Sequence, residues 1–144
     1  MIGIIVTGHG KFAEGLTSSV ELIAGAQPQY KSVLFLEESG PEKLSSDLKE
    51  AIAEVNSGDG VLVFTDLKGG TPFKESVMIA MQHTDVHVLA GTNLPMLLEA
   101  SLMRLSEPLI YDFAKSLAET GASQVELFEM PEAEEACDDF SDGI

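Results

Sequence analysis

Four short apolar runs, most of them rich in β-branched residues, punctuate this chain, each closing in a glycine or polar loop and each leading into a stretch of helical periodicity. They are Ile2-Gly3-Ile4-Ile5-Val6-Thr7, Ser32-Val33-Leu34-Phe35-Leu36, Val61-Leu62-Val63-Phe64-Thr65 and Val86-His87-Val88-Leu89-Ala90. Runs without strict polar alternation read as strands buried on both faces. Between them, Phe12, Leu16, Val20 and Ile23 keep helical spacing, as do Leu44, Leu48, Ile52 and Val55 after Gly40-Pro41 and before Gly58-Asp59-Gly60. A third helix is expected from about Pro72. A fourth runs Met96 to Met103, capped by Thr92-Asn93-Leu94-Pro95. A fifth spans about Glu107 to Glu119 with Gly121 as its stop, before a short strand, Gln124-Val125-Glu126-Leu127-Phe128. Successive βα units require right-handed crossovers and a parallel sheet covered by helices on both faces. The expected fold is therefore α/β, a single-domain three-layer sandwich of the flavodoxin or Rossmann kind with strand order 2-1-3-4.

At 144 residues the chain matches one domain. Residues 1–129 are expected to form it, and 130–144 an acidic, solvated tail. The single Cys137 excludes an intramolecular disulfide and points to a reducing, cytoplasmic setting. No apolar run reaches the roughly 18 residues that a membrane helix needs. A net charge of −16 argues against nucleic acid or an anionic membrane as a partner, because both reward clustered Lys and Arg.

Chemistry concentrates in two loops. Gly8-His9-Gly10 ends the first strand and opens the first helix, so one imidazole stands where free N–H groups and the helix dipole favour an anion. Asp66-Leu67-Lys68-Gly69-Gly70-Thr71 follows the third strand. In a sheet of order 2-1-3-4 the switch point lies between the first and third strands, and ligands bind beyond the carboxyl ends there. Topology thus brings His9 to Asp66. The carboxylate would fix the ring tautomer and leave the other nitrogen nucleophilic. Gly10, Gly69, Gly70 and Thr71 would hold phosphoryl oxygens through backbone N–H groups and a hydroxyl.

These segments, with Thr65-Asp66-Leu67-Lys68-Gly69-Gly70-Thr71-Pro72-Phe73 and Gly91-Thr92-Asn93-Leu94-Pro95-Met96-Leu97 in order, resemble the IIA components of the mannose family of the bacterial sugar phosphotransferase system. The likeness covers about residues 1 to 128. It implies that His9 takes a phosphoryl group from the histidine-containing phosphocarrier protein and passes it to a IIB component, with Asp66 orienting the ring and no bound cofactor. It also implies a homodimer whose last, antiparallel strand, Val125 to Phe128, is exchanged between subunits. IIB would be a separate polypeptide, and the membrane IIC and IID permease an indirect partner that selects the sugar. The sequence differs from one well-known member of that family in carrying Lys68 where an aromatic stands and Thr71 where a serine stands.

Two histidines meeting in one transfer need a shallow surface around His9, for which Phe12, Lys68, Phe73, Asn93, Leu94 and Met96 are candidates. Lys68 reads as a phosphoryl contact or a solvated cation, and Asn93 reads more as a helix cap than as a docking residue. His83, His87 and the methionines read as structural or packing residues, and no metal-ligand spacing exists. Three rivals remain: a dinucleotide-binding protein using Gly8-x-Gly10-x-x-Ala13 with Glu37 or Glu38, the phosphoryl-carrier subunit of a dihydroxyacetone kinase, and a non-catalytic interaction module.

Overall fold

The computed structural model describes residues 1–106 and 108–132. Its elements follow in the order β1 (Gly3–His9), α1 (Phe12–Ala24), β2 (Tyr30–Phe35), α2 (Pro41–Val55), β3 (Val61–Thr65), α3 (Thr71–Ala80), β4 (Val86–Leu89), α4 (Leu94–Met103), a short 3-10 turn (Arg104–Ser106) and α5 (Ile110–Ser123). The four strands form one parallel sheet in the order β2-β1-β3-β4. Order, direction and layering are those read from the sequence.

The continuous apolar runs have their cause in the two helical layers. Along β1, Ile4 and Val6 face α1, α4 and α5, where they meet Ala13, Val20, Leu97, Ala100, Phe113 and Leu117. Ile5 faces the opposite layer with Leu44, Leu48, Ile52 and Val55 of α2 and Ile79 of α3. Successive side chains of a strand point to opposite faces, so a strand covered on both sides must be apolar at every position. Each buried Ile, Leu or Val contributes about 1.5–3 kcal/mol.

At the amino ends of the strands Arg104 is 1% exposed and acts as a clamp. Its Nη1 donates to the carbonyls of Ile2 (2.9 Å) and Gln29 (3.0 Å), and its Nη2 to that of Pro28 (2.6 Å). This ties the end of α4 to the entries of β1 and β2. The carboxyl ends, where chemistry is expected, stay open.

Several expectations need correction. Helix α5 does not stop at Gly121 but continues through it to Ser123, and the expected start at Glu107 lies outside the described residues. Gly121 is selected by packing: a Cβ there would stand 2.6 Å from Sδ of Met96, so the glycine lets α5 approach α4. The expected strand over 124–128 is absent, and residues 125–130 carry no regular structure. A strand exists only through ladder hydrogen bonds to a neighbour, and this segment pairs with neither edge of its own sheet. Ile23 of α1, expected to face the core, is 42% exposed. Most of the acidic tail, with Cys137, lies outside the described residues.

Candidate active site

His9 is the last residue of β1, and Asp66 follows β3 directly. The register that pairs Thr7 with Thr65 carries both past the same edge of the sheet. There the backbone N–H of His9 donates to Oδ2 of Asp66 at 2.8 Å, and ring Nδ1 lies 2.8 Å from the same oxygen. A carboxylate only accepts, so Nδ1 carries the proton and Nε2 keeps its lone pair. The His9 side chain is 50% exposed and that of Asp66 14%, so the ring is half open to solvent and its partner sheltered.

Burial works against the charge on Asp66. The opposing influences win: the His9 backbone N–H, the His9 ring, the Leu67 backbone N–H and the charge of His9 together hold the carboxyl below its ordinary value of 3.8. Its main chain is fixed too. Gly91 N–H donates to the Asp66 carbonyl (2.7 Å) and Thr92 N–H to that of Thr65 (3.1 Å), which gives the Gly91-Thr92 segment a physical task.

Glycines set the close approaches. At Gly8 a Cβ would stand 2.5 Å from Cδ1 of Phe12 and 3.0 Å from Cγ of Asp66, so the missing side chain is the space that the phenyl ring and the carboxyl occupy. At Gly70 a Cβ would stand 2.9 Å from Cε1 of His9, which puts the start of α3 against the imidazole edge. Gly69 turns the loop with φ +84. Beyond it the first helical turn leaves the N–H groups of Thr71 and Phe73 without intrahelical partners, Pro72 having none, and the helix dipole favours an anion at that end.

Some expected roles change. The Gly10 N–H, expected to hold phosphoryl oxygens, is spent on the carbonyl of Phe35 at 2.8 Å, and that of Gly70 on the carbonyl of Leu67 at 3.0 Å. Met96 is 2% exposed and belongs to the core, so it offers no docking surface. Asn93 is the N-cap of α4: its Oδ1 accepts from Met96 N–H (3.4 Å), while its Nδ2 donates to the Gly121 carbonyl (2.8 Å). Leu94 lines an apolar groove of about 750 Å³ with Leu22, Ile23, Pro95, Leu98 and Gln124. Phe12 and Phe73 are partly buried, and Lys68 and Leu67 are exposed. His83 is exposed on the turn after α3, and the His87 ring lies 6.0 Å from that of Tyr111. Among the described residues no group of three or more His, Cys, Asp or Glu could hold a metal ion. The dinucleotide reading is weakened at its second glycine, because the Gly10 N–H is spent on the carbonyl of Phe35 rather than left for a pyrophosphate. Sequence reasoning missed Phe35, whose ring lies 5.7 Å from that of His9.

Known proteins resemble this chain in sequence and in fold. Residues 3–118 match the family described as "PTS system fructose IIA component". The chain is 29% identical over 135 residues to the "PTS system mannose-specific EIIAB component" of Escherichia coli, covering 94% of this chain but 42% of that relative. It is 31% identical over 104 residues to the "PTS system fructose-specific EIIA component" of Bacillus subtilis, covering 72% of this chain and 71% of that one. Among solved structures, the phosphotransferase system component EIIA from Streptococcus agalactiae superimposes with a TM-score of 0.81 at 34% identity, covering 88% of this chain and 96% of that chain.

Proposed function

Because the chain belongs to the mannose-type family of IIA components of the sugar phosphotransferase system, we propose that it is a phosphoryl carrier whose acceptor atom is Nε2 of His9. The observation that carries this reading is the double contact of Asp66 Oδ2 with the backbone and the ring of His9. It commits the Nδ1 proton and leaves Nε2 as the only basic ring atom.

The step is an in-line displacement. The Nε2 lone pair attacks phosphorus as the bond to the donor breaks, the donor keeps that electron pair, and the phosphoryl group becomes attached to Nε2. The proton on Nδ1 stays, so the ring gains positive charge directly beside the Asp66 carboxylate. The N–H groups of Gly69, Thr71 and Phe73 and the Thr71 hydroxyl receive the phosphoryl oxygens at the amino end of α3. Positioning and preorganised dipoles supply the acceleration, and onward transfer is the same displacement reversed.

The donor in this reading is the histidine-containing phosphocarrier protein and the acceptor a IIB component, with the IIC and IID permease served indirectly. Leu67 and Phe73 beside the site, and the groove under Leu94, supply apolar surface for docking. A homodimer completed by the 124–128 segment is part of the proposal.

Incubation with phosphoenolpyruvate, enzyme I and the phosphocarrier protein tests it. The expected result is one acid-labile, base-stable phosphate per chain, lost in His9→Ala. Stable labelling of His9→Ala at His83 or His87 would overturn the assignment.

A further inference from the structure

We infer that Phe35 is a positioning residue for His9, holding the imidazole in its transfer geometry. The inference rests on the phosphohistidine reading above. Phe35 closes β2 at the register position opposite His9, the last residue of β1. Its carbonyl accepts from Gly10 N–H at 2.8 Å, fastening the two strand ends one residue beyond the last ladder pair. Its ring is partly buried against the core that contains Ile5, Val33 and Leu48, so its own position is fixed from below. From there it meets the half-exposed imidazole at 5.7 Å between centroids, with the planes at 76°.

The contact matters because it adds to the hold that Asp66 has on the ring. Asp66 grips one atom, Nδ1, and a single hydrogen bond permits rocking about its own axis. Gly70 stands beside Cε1 but has no side chain to press on it. Phe35 supplies a second contact. A near-perpendicular aromatic pair is favoured by the ring quadrupoles, which gives the contact a preferred orientation. The phenyl ring thus narrows the directions in which Nε2 points.

Rapid-quench transfer from the phosphorylated carrier protein, measured over a range of carrier concentrations, tests this. Phe35→Leu keeps bulk and apolarity but removes the ring, and should lower the maximal transfer rate roughly 2- to 10-fold, in proportion to the worth of one aromatic pair. The half-saturating carrier concentration should not change. Phe35→Tyr should restore the rate to within about twofold, which a merely space-filling role does not require. If Phe35→Leu melts early, Phe35→Met carries the same expectation. A folded variant without the ring that transfers at the wild-type rate would overturn the inference while leaving His9 as the acceptor. So would a change confined to the half-saturating concentration, which would make Phe35 a docking contact. A wild-type protein that accepts no phosphate overturns both readings together.

Discussion

Oδ2 of Asp66 accepts from both the backbone N–H and the ring of His9, each at 2.8 Å. One atom therefore couples the end of strand β1 to the orientation of its terminal side chain. The coupling is as rigid as the β1–β3 register that delivers it. Rotation of the ring away from the site would break one bond, whereas a shift of the strand would break both.

Replacing Asp66 by Asn tests the charge in that arrangement. The shape is kept, but the amide presents either a neutral acceptor or a competing donor to Nδ1, and the developing imidazolium loses its counter-charge. Phosphoryl transfer should slow by roughly 10²- to 10⁴-fold, the usual contribution of a positioned acid–base group, with the fold intact. Thr71→Ala should cost less, since one neutral hydrogen bond contributes about 1 kcal/mol. Rapid-quench measurement ranks them, and a wild-type rate in Asp66→Asn would remove the carboxylate from the mechanism.

The same carboxylate makes stability depend on pH in a defined direction. Its folded value lies below the ordinary 3.8, so the folded state binds its proton less readily than the unfolded chain does. The resulting stabilisation is complete above the unfolded value and is lost as pH falls through the folded one. Asp66→Asn lacks it at every pH. Denaturant titrations of the two proteins should differ most near neutrality and converge in strong acid. Curves that stay parallel throughout would show that Asp66 is not stabilised by its contacts with His9.

Much of this site is legible in the sequence, because its logic is topological. β3 has the bounds that its apolar run suggested, and the switch point between the first and third strands brought His9 to Asp66. Contacts that depend on register or on close approach were not legible. Nothing in the β2 sequence says that Phe35 stops level with His9. Gly121 near a helix end reads as a terminator, yet it is there to admit Met96. Met96 itself illustrates the limit of periodicity, which marks an apolar side without saying whether core or partner covers it. Arg104 gave no signal at all, since a lone arginine resembles a surface charge until three carbonyls are seen around it.

Gly8 and Gly10 should separate two reasons for glycine. Gly8→Ala drives a methyl group into the Phe12 ring and the Asp66 carboxyl, so it should cost about 1–3 kcal/mol as overpacking does, and should also slow transfer by disturbing Asp66. Gly10→Ala meets nothing within 4 Å, but its φ of +57 is unfavourable for alanine and should cost about 1–2 kcal/mol. Its transfer rate should stay near that of the wild type. Denaturant unfolding with rapid-quench kinetics distinguishes the pair, and a Gly8→Ala protein of unchanged stability and rate would contradict the steric argument.

Assembly provides the last test. Val125 and Leu127 are each 81% exposed directly after α5, an arrangement that leaves apolar side chains in water unless another surface covers them. The sheet ends in two strand edges, β2 and β4, and an unpaired edge is a template for a strand from a second chain. A strand exchanged reciprocally would give a closed two-fold dimer. Deleting residues 124–144 should therefore yield monomer or aggregate, while removing only 132–144 should leave the dimer intact, since the acidic stretch brings charge rather than apolar area to an edge. Light scattering on size-separated protein decides between these outcomes, and a full-length chain that remains monomeric at micromolar concentration would refute the exchange.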